Sequence, residues 1–305
     1  MSGEGKARAR PKVACEVAAN RVIAARAAQL GQGLDLCTCR TIGVGTVHPG
    51  LAAGNVGDAA ELRQAIANAL GPVAGRARDV IAILPDAAVR VSLLEFENFP
   101  QHTDEATSLV RFRLRKTLPF DVEHAAISFH VQRPQGTFAA EAGRITAVVA
   151  VAPRPVVEEY EAAFRDAGYT PGVVVPSMLA VLGAVDALTP AMIVKTDALT
   201  TTVAIVDRNE LRLYRTLENE PGTGDDARLA DEIYPSVVFF KDTYGSGLDR
   251  VLLAGQLESE GLGAALETQI GVRAEPLVSR AQMEQMLTRD HVPVSALAGV
   301  LGALA

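Results

Sequence analysis

Residues 145–171 read ITAVVAVAPRPVVEEYEAAFRDAGYTP, and this stretch decides the fold. From Arg144 to Ala152 the run is almost wholly apolar, a composition that suits a central strand covered on both faces. Pro155 is tolerated only in the first turn of a helix, so it starts one. Val156, Tyr160 and Phe164 then recur every four residues along one face, and Gly168 ends the helix. A strand followed at once by an amphipathic helix predicts a sheet with helices packed on it.

The same grammar extends in both directions. Upstream, Val13, Cys15 and Val17 alternate with Ala14 and Glu16, and Val22 resumes the pattern after Ala18-Ala19-Asn20, giving a strand, a tight turn and a second strand. The glycine- and proline-rich residues 43–57 are a loop. Asp58 caps a helix over about 59–71 that carries Leu62, Ile66 and Leu70 and stops at Gly71-Pro72. Strands are predicted at 79–84, 88–96 and 125–133, with a helix from Thr103 or Asp104 to Pro119. Residues 167–185 lack charge, but Pro171-Gly172 places a turn inside the run, which therefore reads as a buried turn, strand and helix rather than a membrane span.

Downstream, residues 190–214 read as two strands around a turn at Asp207-Arg208-Asn209. Asp225 or Asp226 caps a helix with Leu229 and Ile233, and Pro235 kinks it or starts another that ends near Gly245. A strand at 249–254, a helix over about 258–270, a short strand and a terminal helix of small residues (SALAGVLGALA) follow. Each half thus opens with a strand hairpin and later adds strand–helix units. That order predicts a mixed α/β fold of two lobes with internal pseudo-symmetry, although the halves share no sequence identity.

Composition narrows the function. The chain has 305 residues, and 29 basic against 36 acidic side chains leave a net charge of −7. Such a balance argues against a general nucleic-acid binder, and 5% aromatics with no Trp leave little for stacking on bases. Three Cys give no disulfide framework and fit a reducing compartment. The basic start MSGEGKARARPK lacks the apolar core of a secretory signal, so residues 1–11 are expected to be disordered and the chain soluble.

Few motifs carry chemistry. Cys37, Cys39 and His48 are too few and wrongly spaced for zinc, so no metal is expected there. His124 and His130, six apart, share one side of a strand but lack a carboxylate cluster. Neither a nucleophile elbow nor a Walker lysine loop is present, and Gly43-Val44-Gly45 lacks its third glycine. Arg111 and Arg115 share a helix face beside Arg113 and Lys116. They form a candidate surface for an acidic partner or lipid headgroups, to which the basic residues at 6, 8, 10 and 12 could add.

In order along the chain stand FENFP (96–100), LPFDVEHAAISFHV (118–131), residues 145–171, FFKDTYG (239–245), LDRVLLAG (248–255) and the small-residue terminus. Together, over roughly residues 12–305, they resemble the PilM family, the actin-like cytoplasmic proteins of the type IV pilus inner-membrane assembly complex. They are similar also to the cytoplasmic domain of GspL of type II secretion. The resemblance implies an α/β, actin/FtsA-like fold of two lobes: 12–188, with an inserted subdomain at about 45–150, and 189–305.

It also implies a cleft in which relatives hold Mg-ATP with two phosphate loops and an adenosine loop. The positions here are Glu16, Ala18 and Asn20; Lys195, Asp197 and Thr200; and Gly255 with Gln256. All three loops depart from the family pattern. In the first, Asp has become Glu16, Gly has become Ala18 and the Lys falls on Ile23. In the second, a carboxylate has become Lys195 and Gly has become Asp197. In the third, the second Gly has become Gln256. The expectation is a degenerate cleft with no resident ATP or Mg and no catalysis. The protein would then be a scaffold at the inner face of the bacterial inner membrane, binding the cytoplasmic N-terminal segment of a PilN-like single-span protein beside the inserted subdomain. The alternatives are an ATP-binding, ATPase PilM-like protein, a GspL-like role in secretion with a GspM-like partner, and a sugar kinase of the same superfamily, which would need an intact phosphate loop.

Overall fold

Two sheets of matching topology form the frame of the computed structural model, which describes residues 10–31, 33–132, 144–219, 226–256, 261–279, 287–288 and 292–305. The first contains β1 (Val13–Val17), β2 (Arg21–Arg26), β3 (Leu36–Thr41), β4 (Asp79–Leu84) and β8 (Thr170–Pro176), in the order β3-β2-β1-β4-β8. The second contains β9 (Ala191–Thr196), β10 (Thr200–Asp207), β11 (Glu210–Glu218), β12 (Arg250–Gly255) and β13 (Ala274–Pro276), in the order β11-β10-β9-β12-β13. In each, an antiparallel meander is followed by two parallel strands. The internal pseudo-symmetry expected from the order of elements is therefore present in the strand pairing.

Alternation along the strands assigns the layers. Val13, Cys15 and Val17 of β1 and Val80, Ala82 and Leu84 of β4 face α1 (Ala59–Ala74) and α3 (Arg154–Asp166), whose Leu62, Ile66, Leu70, Tyr160 and Phe164 complete that core. The opposite face, with Ala14, Ile23, Ile81 and Ile83, packs on α4 (Ser177–Leu182) and α7 (Ala298–Ala303). In the second sheet, Met192, Val194, Val251 and Leu253 face α5 (Asp226–Tyr244) and α6 (Gly261–Ile270). Its other face, with Ala191, Ile193, Leu252 and Ala254, returns to Met178 and Val181 of α4 and Ala298 of α7. Helices α4 and α7 are thus the layer between the two sheets. They approach so closely that a Cβ on Gly302 would clash with the carbonyl oxygen of Ala180.

A third, three-stranded sheet contains β5 (Arg90–Phe96), β7 (Ile145–Ala152) and β6 (Ala126–Gln132), in the order β5-β7-β6, backed by α2 (Thr103–Leu114). It begins at Arg90 rather than at about 45, because α1 and β4 belong to the first sheet. Strand β7 is central, but only Ala147, Val149, Val151 and Ala152 are buried, so α2 covers one face and the other is partly open. The Gln132 amide of β6 ties this unit to the second lobe. It donates to the Leu211 carbonyl at 3.0 Å and accepts from the Leu211 N–H at 2.6 Å.

Several expectations change. Helix α1 continues through Pro72 because Val73 and Ala74 are buried, and it ends at Gly75 with φ +57°. Helix α5 likewise runs through exposed Pro235, since Ser236 and Phe240 beyond it are buried. Its proposed cap Asp225 lies outside the described residues, as do residues 258–260 and most of the basic N-terminus. Helix α2 stops at Leu114, short of Pro119, with the Thr117 N–H and hydroxyl bonded to the Leu114 carbonyl. Residues 190–214 hold parts of three strands, the extra turn lying at 197–199. The predicted turn after β10 is real, with Arg208 and Asn209 at φ 53° and 58°, the left-handed pair of a tight hairpin. Strand β8 is half exposed, being the edge of its sheet. The second lobe does not keep the whole C-terminus: α7 and the short strand β14 (Leu287–Thr288), paired with β3, belong to the first.

Candidate functional site

Strands β1, β4 and β8 run parallel in one sheet and β9 and β12 in the other. In open α/β sheets, ligands bind beyond the carboxyl ends of such strands. Glu16, Asp86 and Ser177 stand at those ends in the first lobe, and Lys195, Thr196 and Gln256 in the second. The period of two decides their direction. Ala14 and Glu16 are the inward positions of β1, and Ala191, Ile193 and Lys195 those of β9. Glu16 and Lys195 are therefore equivalent positions of the two lobes, facing each other.

All four charged groups here are shielded from solvent. Lys195 and Asp86 are each 2% exposed, Glu16 is 5% exposed, and Asp197 is half-buried. The Lys195 ammonium donates to Asp197 of its own hairpin and lies 3.8 Å from both Glu16 Oε1 and Asp86 Oδ2 of the other lobe. The Ser177 hydroxyl donates to Glu16 Oε1. Asp86 Oδ1 accepts from the Met178 N–H at 2.8 Å and from the Tyr214 hydroxyl at 3.1 Å. Glu16 Oε2, Asp86 Oδ2 and Asn20 Oδ1 accept no hydrogen bond. Glu16 also lies so close to α7 that a Cβ on Gly299 would collide with its carboxylate.

The electrostatics follow from burial and partners. Burial pushes the Glu16 and Asp86 carboxyls above their ordinary values of 4.5 and 3.8, against the pull of Lys195. Burial alone would lower the Lys195 ammonium, but Asp197, Asp86 and Glu16 more than offset it and hold it above its ordinary 10.5. The sign for stability is definite. A carboxyl with a raised folded pKa stabilises fully below its unfolded value, and that contribution is lost as pH rises through the folded value. The urea midpoint is expected to fall as pH rises above the ordinary carboxyl range in wild type and to fall less in Asp86→Asn, which cannot ionise. A midpoint that rises with pH there would contradict the assignment.

The sequence-predicted positions gather around this cluster. The turn of Ala18 and Asn20 closes with Ala18 N–H on the Arg21 carbonyl at 2.9 Å, and the turn of Asp197 with its N–H on the Thr200 carbonyl at 2.7 Å. The Asn20 amide donates to Gln256 Oε1 at 2.8 Å across the lobes. Gly255 has φ +85°, and the Gln256 N–H and carbonyl both bond to Thr196. Asn219 braces the second turn, accepting from the Thr201 hydroxyl and donating to the Asp197 carbonyl.

Arg111 and Arg115 lie at the C-terminal end of α2, which packs on the three-stranded sheet rather than on the two sheets that carry this cluster. The Arg111 guanidinium donates to the carbonyls of Val122 and Glu123, and Arg115 pairs with the Glu123 carboxylate, so much of their charge is used within the subdomain. Cys37 is buried, Cys39 is half-buried and His48 is exposed on a loop, while His124 precedes the strand that holds His130. Among the described residues no group of three His, Cys, Asp or Glu could hold a metal, and no helix is long and apolar enough to cross a membrane.

Sequence reasoning missed Asp86, Ser177 and Tyr214. Asp86 and Ser177 each follow a proline at the carboxyl end of a strand, Pro85 and Pro176, and that position could have flagged them. Nothing local marks Tyr214.

No family model and no curated protein matches the chain. Solved structures do. The chain is similar to one in a PilM-PilN type IV pilus biogenesis complex, with a TM-score of 0.75 and 19% identity over 97% of this chain and 98% of that one. It is similar to the cytoplasmic domain of EpsL, an inner-membrane component of the type II secretion system of Vibrio cholerae, with a TM-score of 0.51, 15% identity, and 95% and 98% covered. It is also similar to the ethanolamine utilization protein EutJ from Carboxydothermus hydrogenoformans, with a TM-score of 0.50, 12% identity, and 96% and 89% covered. Paired sheets of one topology, an inserted three-stranded subdomain and these likenesses together give the chain an actin-like fold.

Proposed function

We propose that this chain is the actin-like scaffold of a type IV pilus inner-membrane assembly complex, and that it binds the cytoplasmic N-terminal segment of a PilN-like single-span membrane protein. The observation that carries this reading is the correspondence to the chain from a PilM-PilN complex over nearly the whole of both chains. An extended segment would dock in a groove beside the three-stranded subdomain, with backbone hydrogen bonds for affinity and side-chain pockets for selectivity. The protein would then sit in the cytoplasm, held to the inner membrane through that partner.

The cleft supports a scaffold rather than an ATPase. A phosphate chain needs free backbone N–H groups and positive charge. Here the Ala18 and Asp197 N–H groups are bonded within their own turns, and three carboxylates share the Lys195 ammonium, with Arg21 beside Glu16. The residues present do not fit Mg-ATP. Catalysis therefore has no part in this reading, which needs no resident cofactor.

Calorimetry with a synthetic peptide of the PilN-like protein's cytoplasmic N-terminal segment tests the partner. Binding with a dissociation constant on the order of micromolar is expected; no heat at high peptide concentration would overturn the partner assignment. Mg-ATP is expected to leave thermal unfolding unchanged. Stabilisation approaching about 3 kcal/mol, as for ligand at 100 times its dissociation constant, would restore the ATPase reading.

The likeness to the EpsL cytoplasmic domain carries a second reading, a part in a type II secretion assembly. Binding of the corresponding secretion-system segment in place of the PilN-like peptide would select it.

A further inference from the structure

We infer that Lys195 is a resident counter-ion that latches the two lobes together with no ligand between them. The geometry carries the inference. The ammonium comes from β9 of the second lobe, and two of its three carboxylates, Glu16 and Asp86, come from the first. Beside it, two further polar contacts span the lobes: the Tyr214 hydroxyl to Asp86, and the Asn20 amide to Gln256. The groups facing the cluster are Glu16 of β1, Arg21 at the start of β2, Asp86 after β4, Ser177 of α4, Asp197 after β9 and Tyr214 of β11. Lys195 is the cation shared among the three carboxylates. Behind the cluster the lobes are joined by the apolar α4–α7 layer; at the carboxyl ends of the strands the polar bridge spans them.

A ligand-dependent cleft needs a bound cation or nucleotide to close it. In this chain the pseudo-symmetric positions carry opposite charges, so the lobes close on each other directly. The closed form is then built into the chain, and a partner meets one conformation of the scaffold. The inference rests on the reading above only in taking the cleft as free of nucleotide. Peptide binding, measured separately, can fail without touching it.

The test is native-state hydrogen exchange at the two turns, residues 18–21 and 197–200, with small-angle scattering for lobe separation. In Lys195→Met three carboxylates lose the ammonium they share, and exchange at both turns is expected to quicken by about a hundredfold or more, with a larger radius of gyration. Because that variant can fail to fold, Lys195→Met with Glu16→Gln and Asp86→Asn removes the ammonium and the two carboxylates of the first lobe at nearly constant volume, leaving of the three carboxylates only the half-buried Asp197. This triple variant is expected to fold as stably as wild type yet keep fast exchange at both turns. Wild-type exchange in the triple variant would overturn the latch, because the apolar layer and the remaining polar contacts would then hold the lobes without it. Failure of the triple variant to fold would overturn it too, because the cluster would then be part of the folded core rather than a clasp between lobes.

Discussion

Asp86→Ala is expected to destabilise the protein by about 3–5 kcal/mol, the usual cost of breaking a buried ion pair from one side. Three groups lose a partner at once. The Met178 N–H and the Tyr214 hydroxyl are left without their acceptor in a buried site, and Lys195 loses one of its three anions. Asp86→Asn keeps an oxygen in the place of Oδ1, so both hydrogen bonds survive and only the charge goes. Its cost is expected to be smaller, about 1 kcal/mol. Urea unfolding of the two variants separates the contributions. Equal costs would mean that the carboxylate's charge matters more than its two hydrogen bonds, contrary to the geometry.

Gly255→Ala is expected to cost a further large amount, about 2–5 kcal/mol, from two sources that add. Residue 255 has φ +85°, a region that an L side chain enters at about 1–2 kcal/mol. The added Cβ would also overlap the Thr196 carbonyl oxygen and sit 3.0 Å from the Thr196 N and C, an overpacking against backbone that costs about 1–3 kcal/mol. β12 and β9 would have to separate at their carboxyl ends, taking Gln256 away from Asn20. The denaturation midpoint should drop, and the Asn20 side-chain amide resonances should lose the signature of a hydrogen bond. A Gly255→Ala protein as stable as wild type would show that the two strands have room that the structure does not give them.

Much of the frame could be read from residues alone. The alternation at β1, the short apolar run at β4 and the period-four runs at α1 and α3 follow from burial, and each is local in sequence. Prolines were the weak point. Pro72 and Pro235 are local breakers, yet burial of the residues beyond them outweighs one missing hydrogen bond. The cleft was legible only in part. Glu16, Asn20, Lys195, Asp197 and Gln256 sit at strand ends that the family resemblance marks, and the structure brings them together. Asp86, Ser177 and Tyr214 join them through lobe packing. Tyr214 meets Asp86 across 128 positions, and Ser177 meets Glu16 across 161, distances over which no periodicity carries information. The subdomain's edge was misplaced for a related reason: α1 and β4 look like any other strand–helix units until sheet pairing shows which sheet holds them.

The return of α7 to the first sheet has a consequence for synthesis. The strand face formed by Ala14, Ile23, Ile81 and Ile83 is covered partly by Val300, Ala303 and Leu304, and the Arg10 guanidinium holds the Ala303 carbonyl at 2.8 Å. A ribosome adds about 5–20 residues per second, so the first lobe emerges on the order of ten seconds before the helix that finishes it. During that interval the part of its inner face that α7 covers is bare. The first lobe's inner layer is therefore completed only after the second lobe has been made, so the two lobes do not finish folding one after the other.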